Sequence, residues 1–237
     1  KISPEKYREE LQKVKAYIAT NNAYGVDLNP TAIELGKLSL WLNVIHKDME
    51  TPFFANRLAV GNAVVGAWFK VYTEAQLKKK WWEKAPKLLQ LGPEGEKRKK
   101  SEIYHFLLPD KGMVPSAGIK LLKDEFPTHA ARVSSWRSDA TKPISGEELR
   151  QLQKICDSID EHLEEYYTFQ KRLNAQTKNK VDIWGGFKDE EQIGLNLRSY
   201  DEKEQLNDQR NRQSAPYYKL KMVMDYWCSL WFWDVRK

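Results

Sequence analysis

A chain of 237 residues has room for one large domain or two small ones, and with 41% hydrophobic and 30% charged residues it can bury a core, which excludes wholesale disorder. Two cysteines, Cys156 and Cys228, cannot build a disulfide framework and point to a reducing, cytoplasmic setting, while the formal net charge is +6. The first residue is Lys1 rather than methionine and there are nine tryptophans, both expected of a piece cut from something longer.

In chain order, residues 4–20 are predicted to form a helix, with Tyr7, Leu11, Val14 and Ile18 at helical spacing. A short buried parallel strand is expected at residues 23–26, ending at Asp27-Leu28-Asn29-Pro30. Asn29 suits an N-cap and Pro30 the first helical position. A second helix over residues 31–45 places Ile33, Leu38, Trp41, Leu42 and Ile45 mostly along one face. Residues 57–67 predict a second strand, broken by Gly61-Asn62 and followed by a turn at Gly66. The apolar run over 58–69 contains Asn62 and is too short to span a bilayer.

The charge is concentrated next. Between residues 78 and 100 stand Lys78, Lys79, Lys80, Lys84, Lys87, Lys97, Arg98, Lys99 and Lys100, against Glu83, Glu94 and Glu96, so this stretch carries the whole +6. With Pro86, Gly92, Pro93 and Gly95 in it, it is expected to be irregular. Such a segment suits nucleic-acid phosphates, with Trp81 and Trp82 stacking on unpaired bases. A solvated loop that only aids solubility accounts for it equally well.

Further on, residues 103–108 are a short apolar run, and residues 147–176 have a long helical pattern through Leu149, Leu152, Ile155, Ile159, Leu163, Tyr166 and Leu173. The carboxylates Asp157, Asp160, Glu161, Glu164 and Glu165 on that helix read as a solvated face, with Lys154, Lys171 and Arg172 nearby. Residues 182–212 are polar and expected to be a loop. Residues 217–233 predict a last helix with Leu220, Met224, Trp227 and Trp231 on one stripe, and Lys219, Lys221, Asp225 and Asp234 keep it out of a membrane. The organisation expected is α/β for residues 1–70 and a mainly helical part over 71–237. The four histidines, His46, His105, His129 and His162, have no metal-like spacing, and neither cysteine has the neighbours of a nucleophile. Pro109-Asp110-Lys111 is too little for a nuclease site.

An acidic residue at the carboxyl end of a strand, just before a helix, can accept hydrogen bonds from both hydroxyls of a ribose lying across the strand ends. Asp27 holds that position, with Leu28 placed to lie beside a nucleoside base; ordinary turn chemistry also explains an aspartate there.

The run Tyr24-Gly25-Val26-Asp27-Leu28-Asn29-Pro30, continued by Ala32, Glu34-Leu35 and residues 37–42 (KLSLWL), resembles one family closely. These are the large adenine-N6 DNA methylases of restriction–modification and phage-defence systems, including the BREX and DISARM types, whose second block reads like GVDLNPxAVELAKLSLWL. Arg57-Leu58, Gly61-Asn62 and Val65-Gly66-Ala67 are similar to the family's RLxxGNSLIGA, and residues 218–228 resemble a segment of the DISARM-type members. The likeness is strong over residues 4–68 and patchier over 103–184 and 216–233.

The resemblance implies a partial Rossmann-like methyltransferase sheet and S-adenosylmethionine as cofactor. Asp27 would hold its ribose, Leu28 would pack on its adenine, and Asn62 would hydrogen-bond the adenine amino group with Ala63 alongside. Asn62 read without the family is a strand-end hydrogen-bonder. The implied partners are DNA, the remaining domains of a parent methylase and other defence-system subunits. Two blocks of the family are missing from the sequence: a glycine-rich turn like DPACGSGxFL and an NPPY-like block that holds a flipped target base. The expectation is therefore the central segment of a methylase, without turnover of its own. The rival is a non-catalytic helical DNA- or protein-binding adaptor of methylase ancestry.

Overall fold

The computed structural model describes residues 2–47, 49–90, 95–179, 181, 183–184 and 198–236. In chain order the elements are α1 (Tyr7–Asn21), β1 (Gly25–Asp27), α2 (Pro30–Val44), β2 (Leu58–Val60), β3 (Lys70–Thr73), α3 (Glu74–Leu77), β4 (Lys87–Leu88), β5 (Glu102–Tyr104), α4 (Lys120–Glu125), α5 (Pro127–Ala140), α6 (Gly146–Thr177), α7 (Tyr200–Arg210) and α8 (Pro216–Ser229). The protein is mixed α/β. Among the described residues no helix is long and apolar enough to cross a membrane.

The chain forms two compact units, one of Lys1–Val64 with Tyr166–Ala215 and one of Val65–Glu165 with Pro216–Lys237. The first break falls near the expected boundary at residue 70. The described residues within 166–215 belong to the first unit.

In the first unit β1 and β2 pair in parallel, Gly25 opposite Leu58, Val26 opposite Ala59 and Asp27 opposite Val60, with α2 as the crossover. Asn29 caps α2, its side chain accepting from the Thr31 N–H at 2.9 Å, and Pro30 sits in the first turn, where a missing N–H costs nothing. The core here is Ala16, Ala19, Val44 and Phe54, with Leu40, Trp41, Met49 and Val181 against it. The small residues of α1 thus face inward, whereas Tyr7, Leu11 and Ile18 of the expected stripe are exposed. On α2, Leu38 and Leu42 are likewise exposed while Ile33 and Val44 are buried. The second predicted strand is shorter than expected. Only residues 58–60 pair, and Ala63, Val64, Val65 and Gly66 are exposed outside any strand.

Part of the expected loop 182–212 is helical. Ser199 and Glu202 form a capping box that starts α7, and the buried residues of that helix are Lys203 and Asn207. Lys203 Nζ donates to Glu50 Oε1 at 2.5 Å. Residues 182 and 185–197 of that expectation lie outside the described residues.

The second unit adds a small sheet to the expected helices. It holds a three-stranded antiparallel sheet in the order β4-β3-β5, with Val71 opposite both Lys87 and Tyr104. The 78–100 stretch is also more regular than expected: Trp81–Glu83 form a single 3-10 turn and Lys87–Leu88 are β4. Val71, Leu77, Trp81, Ile103, Tyr104 and Phe106 are buried, and the Tyr104 and Phe106 rings stack at 5.1 Å. A second cluster joins Met113, Val114, Ala117 and Val235, with Trp227 of α8 and Leu230 and Trp231 just after it packed against it. Trp227 Nε1 donates to the Leu108 carbonyl at 2.9 Å, which ties α8 to the 3-10 turn His105–Leu107 that follows β5. Gly112 sits close by in a tight space, where a Cβ would come within 3.1 Å of the Trp231 ring and of Asp110 Oδ1. Val114 has φ of 55°, a costly conformation for a β-branched residue. It is held by the Arg137 guanidinium, which donates to the carbonyls of both Met113 and Val114.

His105 packs edge-on against Trp227, 4.9 Å between ring centroids, and burial pushes its imidazole down to about 4 from an ordinary 6.5. The unfolded chain therefore binds the proton first as pH falls. Stability is expected to be full above about pH 6.5 and to decline towards pH 4. Melting curves across that window check this: His105→Gln should flatten the decline.

Candidate functional site

Two groups of residues have chemistry to offer, one in each unit. In the first, the parallel pairing of β1 with β2 brings the carboxyl ends of both strands side by side. The Gly61 N–H donates to the Asp27 carbonyl at 2.9 Å, so Gly61-Asn62-Ala63 leaves β2 beside the point where Asp27-Leu28 leaves β1. Gly61 allows this approach, since a Cβ on it would lie 3.2 Å from Val26 Cγ2. The four residues expected to contact a cofactor, Asp27, Leu28, Asn62 and Ala63, are all exposed and sit at the same ends of adjacent strands.

Their side chains also make local turns. Asp27 Oδ1 accepts from the Asn29 N–H at 2.7 Å, and Asn62 Oδ1 accepts from the Val64 N–H at 2.8 Å. The turn role and the ligand role of Asp27 are therefore compatible. Oδ1 orients the carboxylate at the entrance to α2, and Oδ2 has no hydrogen bond among the described residues. Leu28, 69% exposed, presents an open apolar side chain next to it. An exposed carboxylate with one oxygen fixed, beside an apolar side chain and an amide, suits an adenosine: diol, ring and exocyclic amine respectively.

In the second unit the structure separates the basic residues into different roles. Trp81 is 1% exposed and belongs to the core, which removes it as a stacking platform. Trp82 is half-buried, its ring 4.9 Å from that of Trp81, with Lys111 Nζ 4.3 Å over its face. Arg98 is not free for phosphates either. Its side chain is 1% exposed, and Nη2 donates to Asp157 Oδ1 at 2.5 Å and to Asp160 Oδ2 at 2.7 Å. Nε donates to Asp160 Oδ2 at 3.0 Å, and Nη1 to the Glu102 carbonyl at 2.8 Å. Tyr104 completes the cluster, its hydroxyl donating to Asp160 Oδ1 at 2.7 Å; burial and that carboxylate push its pKa upward. The neighbouring Cys156 thiol is pushed up to about 11 by burial, which makes it inert rather than nucleophilic.

Lys78 pairs with Glu74, Lys80 with Glu83, Lys87 with Glu96 and Lys97 with Glu164. Lys79, Lys84, Lys99 and Lys100 are exposed and have no carboxylate within 4 Å among the described residues. The α6 carboxylates Asp157, Asp160 and Glu164 are thus partners of the basic segment, not simply a solvated face. Their spacing of three and four residues places them on one side of the helix, but the cations they meet lie some sixty positions earlier, beyond the reach of any local pattern.

No group of three or more potential metal ligands occurs among the described residues. No family model, curated protein or solved structure matches the chain.

Proposed function

We propose that the chain is the adenosine-binding central part of a cytoplasmic, S-adenosylmethionine-dependent adenine-N6 DNA methylase of a restriction–modification or phage-defence system. One observation carries the reading: the residues marked by the sequence resemblance, Asp27-Leu28 and Asn62-Ala63, leave adjacent parallel strands side by side. When bound, S-adenosylmethionine supplies an electrophilic methyl group to the N6 amine of a flipped adenine. This chain's own part is to bind and orient. Asp27 accepts from the ribose hydroxyls, Leu28 forms an apolar wall for the adenine, and Asn62 accepts from its amino group. The exposed apolar side chains of β1, β2 and α2, among them Val26, Val60, Leu35 and Leu42, fit a sheet and helix layer continued by other parts of such a methylase.

The reading is tested by titrating the isotope-labelled chain with S-adenosylhomocysteine and following backbone amides. Shifts confined to residues near Asp27, Leu28 and Gly61–Ala63, lost or weakened at least tenfold in Asp27→Ala, are expected. The loss of a charge-assisted bidentate contact of about 1.5–3 kcal/mol sets that scale. An unperturbed spectrum at millimolar ligand would overturn the cofactor role and favour the adaptor of methylase ancestry. No methyl transfer to DNA is expected from the chain alone, because the base-holding NPP-aromatic block does not occur in its sequence; turnover would contradict the assignment.

A further inference from the structure

The basic residues of the second unit have uneven fates in the fold. Four lysines, Lys79, Lys84, Lys99 and Lys100, stay exposed without carboxylate partners among the described residues, while Arg98 and Trp81 are consumed by the fold. The fold also gathers most of this free charge. The Glu74 N–H donates to the Ser101 carbonyl at 3.1 Å, so Lys99 and Lys100 end beside the first turn of α3. Lys78 and Lys79 follow the last turn of that four-residue helix, about 6 Å further along. Lys84 lies on the far side of the Trp81–Glu83 turn, its carbonyl accepting from the Tyr72 hydroxyl at 3.2 Å.

The two tryptophans of the basic segment offer little open ring face. Trp81 is buried, and Trp82 has the edge of Trp81 on one side and Lys111 on its face. Single-stranded nucleic acid is held largely by stacking on open aromatic faces, and this surface offers none of that kind in the basic segment. A duplex, by contrast, presents a dense row of phosphates that lysines can meet without reading bases.

We propose that Lys79, Lys84, Lys99 and Lys100 form a surface that binds the backbone of duplex DNA by charge alone, without sequence readout or base stacking. This deepens the DNA part of the function proposed above and is independent of the cofactor part, which the nucleoside titration tests separately.

The test is fluorescence anisotropy of a labelled 20-base-pair duplex with the chain, at several salt concentrations. Log affinity is expected to fall linearly with log salt. Replacing the four lysines with alanine is expected to weaken binding at least tenfold and to reduce the salt slope by roughly 0.9 for each phosphate no longer neutralised. A matched control replaces Lys120, Lys123, Lys142 and Lys154, exposed in the same unit, and should change affinity less than twofold. Trp82→Ala should leave duplex binding unchanged. The proposal fails if the unaltered chain does not bind the duplex at low salt, or if both quadruple variants lose affinity equally. It also fails if the chain prefers single-stranded DNA and Trp82→Ala abolishes that preference. Unchanged melting temperatures confirm that the lysine variants remain folded.

Discussion

Arg98→Ala is expected to destabilise the second unit by about 3 kcal/mol without altering the salt slope of DNA binding by the folded molecule. The guanidinium is almost fully buried and donates to Asp157, to Asp160 and to the Glu102 carbonyl at once. Removing it leaves the Glu102 carbonyl without that donor and the Tyr104–Asp160 hydrogen bond beside an uncompensated carboxylate. The cost sits at the low end for a broken buried pair because Asp157 and Asp160 keep 56% and 36% side-chain exposure, so water reaches what the arginine abandons. Arg98→Lys keeps the charge but not the planar fork and should recover only part of the loss.

Urea unfolding measures the stability change. Amide exchange should localise it to β5 and the α6 turns that carry Asp157 and Asp160. The salt slope separates an internal tie from a phosphate ligand. If Arg98 neutralised a phosphate, its removal would lower the slope by roughly 0.9, whereas removal of a purely internal tie would not.

The features legible in the sequence are those written in consecutive residues. Asp27-Leu28-Asn29-Pro30 specifies a strand end, a cap and a helix start within four positions. The cap and helix start appear where expected, whereas the strand is Gly25–Asp27 rather than 23–26 and is exposed rather than buried, with Val26 43% exposed. The long periodicity of α6 is equally plain, and the helix runs one residue beyond the expected span at each end. Features that need distant partners were not legible. The β3–β5 pairing joins short strands thirty-three positions apart, Val71 to Tyr104, and neither strand is long enough to show alternation. Arg98 reads as one more cation in a basic run, because nothing within the run reveals that α6 will close over it. Trp81 and Trp82 are adjacent and chemically identical, yet one fills the core and the other borders solvent; only the turn of the chain after α3 separates them.

The candidate nucleoside site falls between these cases. Asp27 stands out locally, but Asn62 gains its position only through the parallel register of β2 with β1, which residue spacing leaves open and which the family resemblance alone implied.

The other large expected effect follows from the helix that sequence patterning missed. Residues 200–210 have little apolar periodicity, and α7 turns a lysine and an asparagine inward instead. Lys203 is 2% exposed at its side chain and bonded to Glu50 Oε1, while Glu50 Oε2 and Asn207 Oδ1 are buried atoms without a hydrogen-bond partner among the described residues. Lys203→Ala removes the cation that compensates Glu50, whose side chain keeps 31% exposure, so the cost is expected at the low end for a broken pair, about 3 kcal/mol.

The pair itself need not be stabilising relative to apolar residues, so the double variant Lys203→Met with Glu50→Leu should recover most of that loss. Urea unfolding of the wild type, both single variants and the double variant forms a cycle whose interaction energy reports the pair directly. If Lys203→Ala alone proves neutral, the ammonium is not what seats α7 on the first unit. In the expected case α7 frays in Lys203→Ala, seen as faster amide exchange over residues 200–210. The nucleoside titration at Asp27 should then remain unchanged, because the β1–β2 pairing that builds that site does not pass through α7.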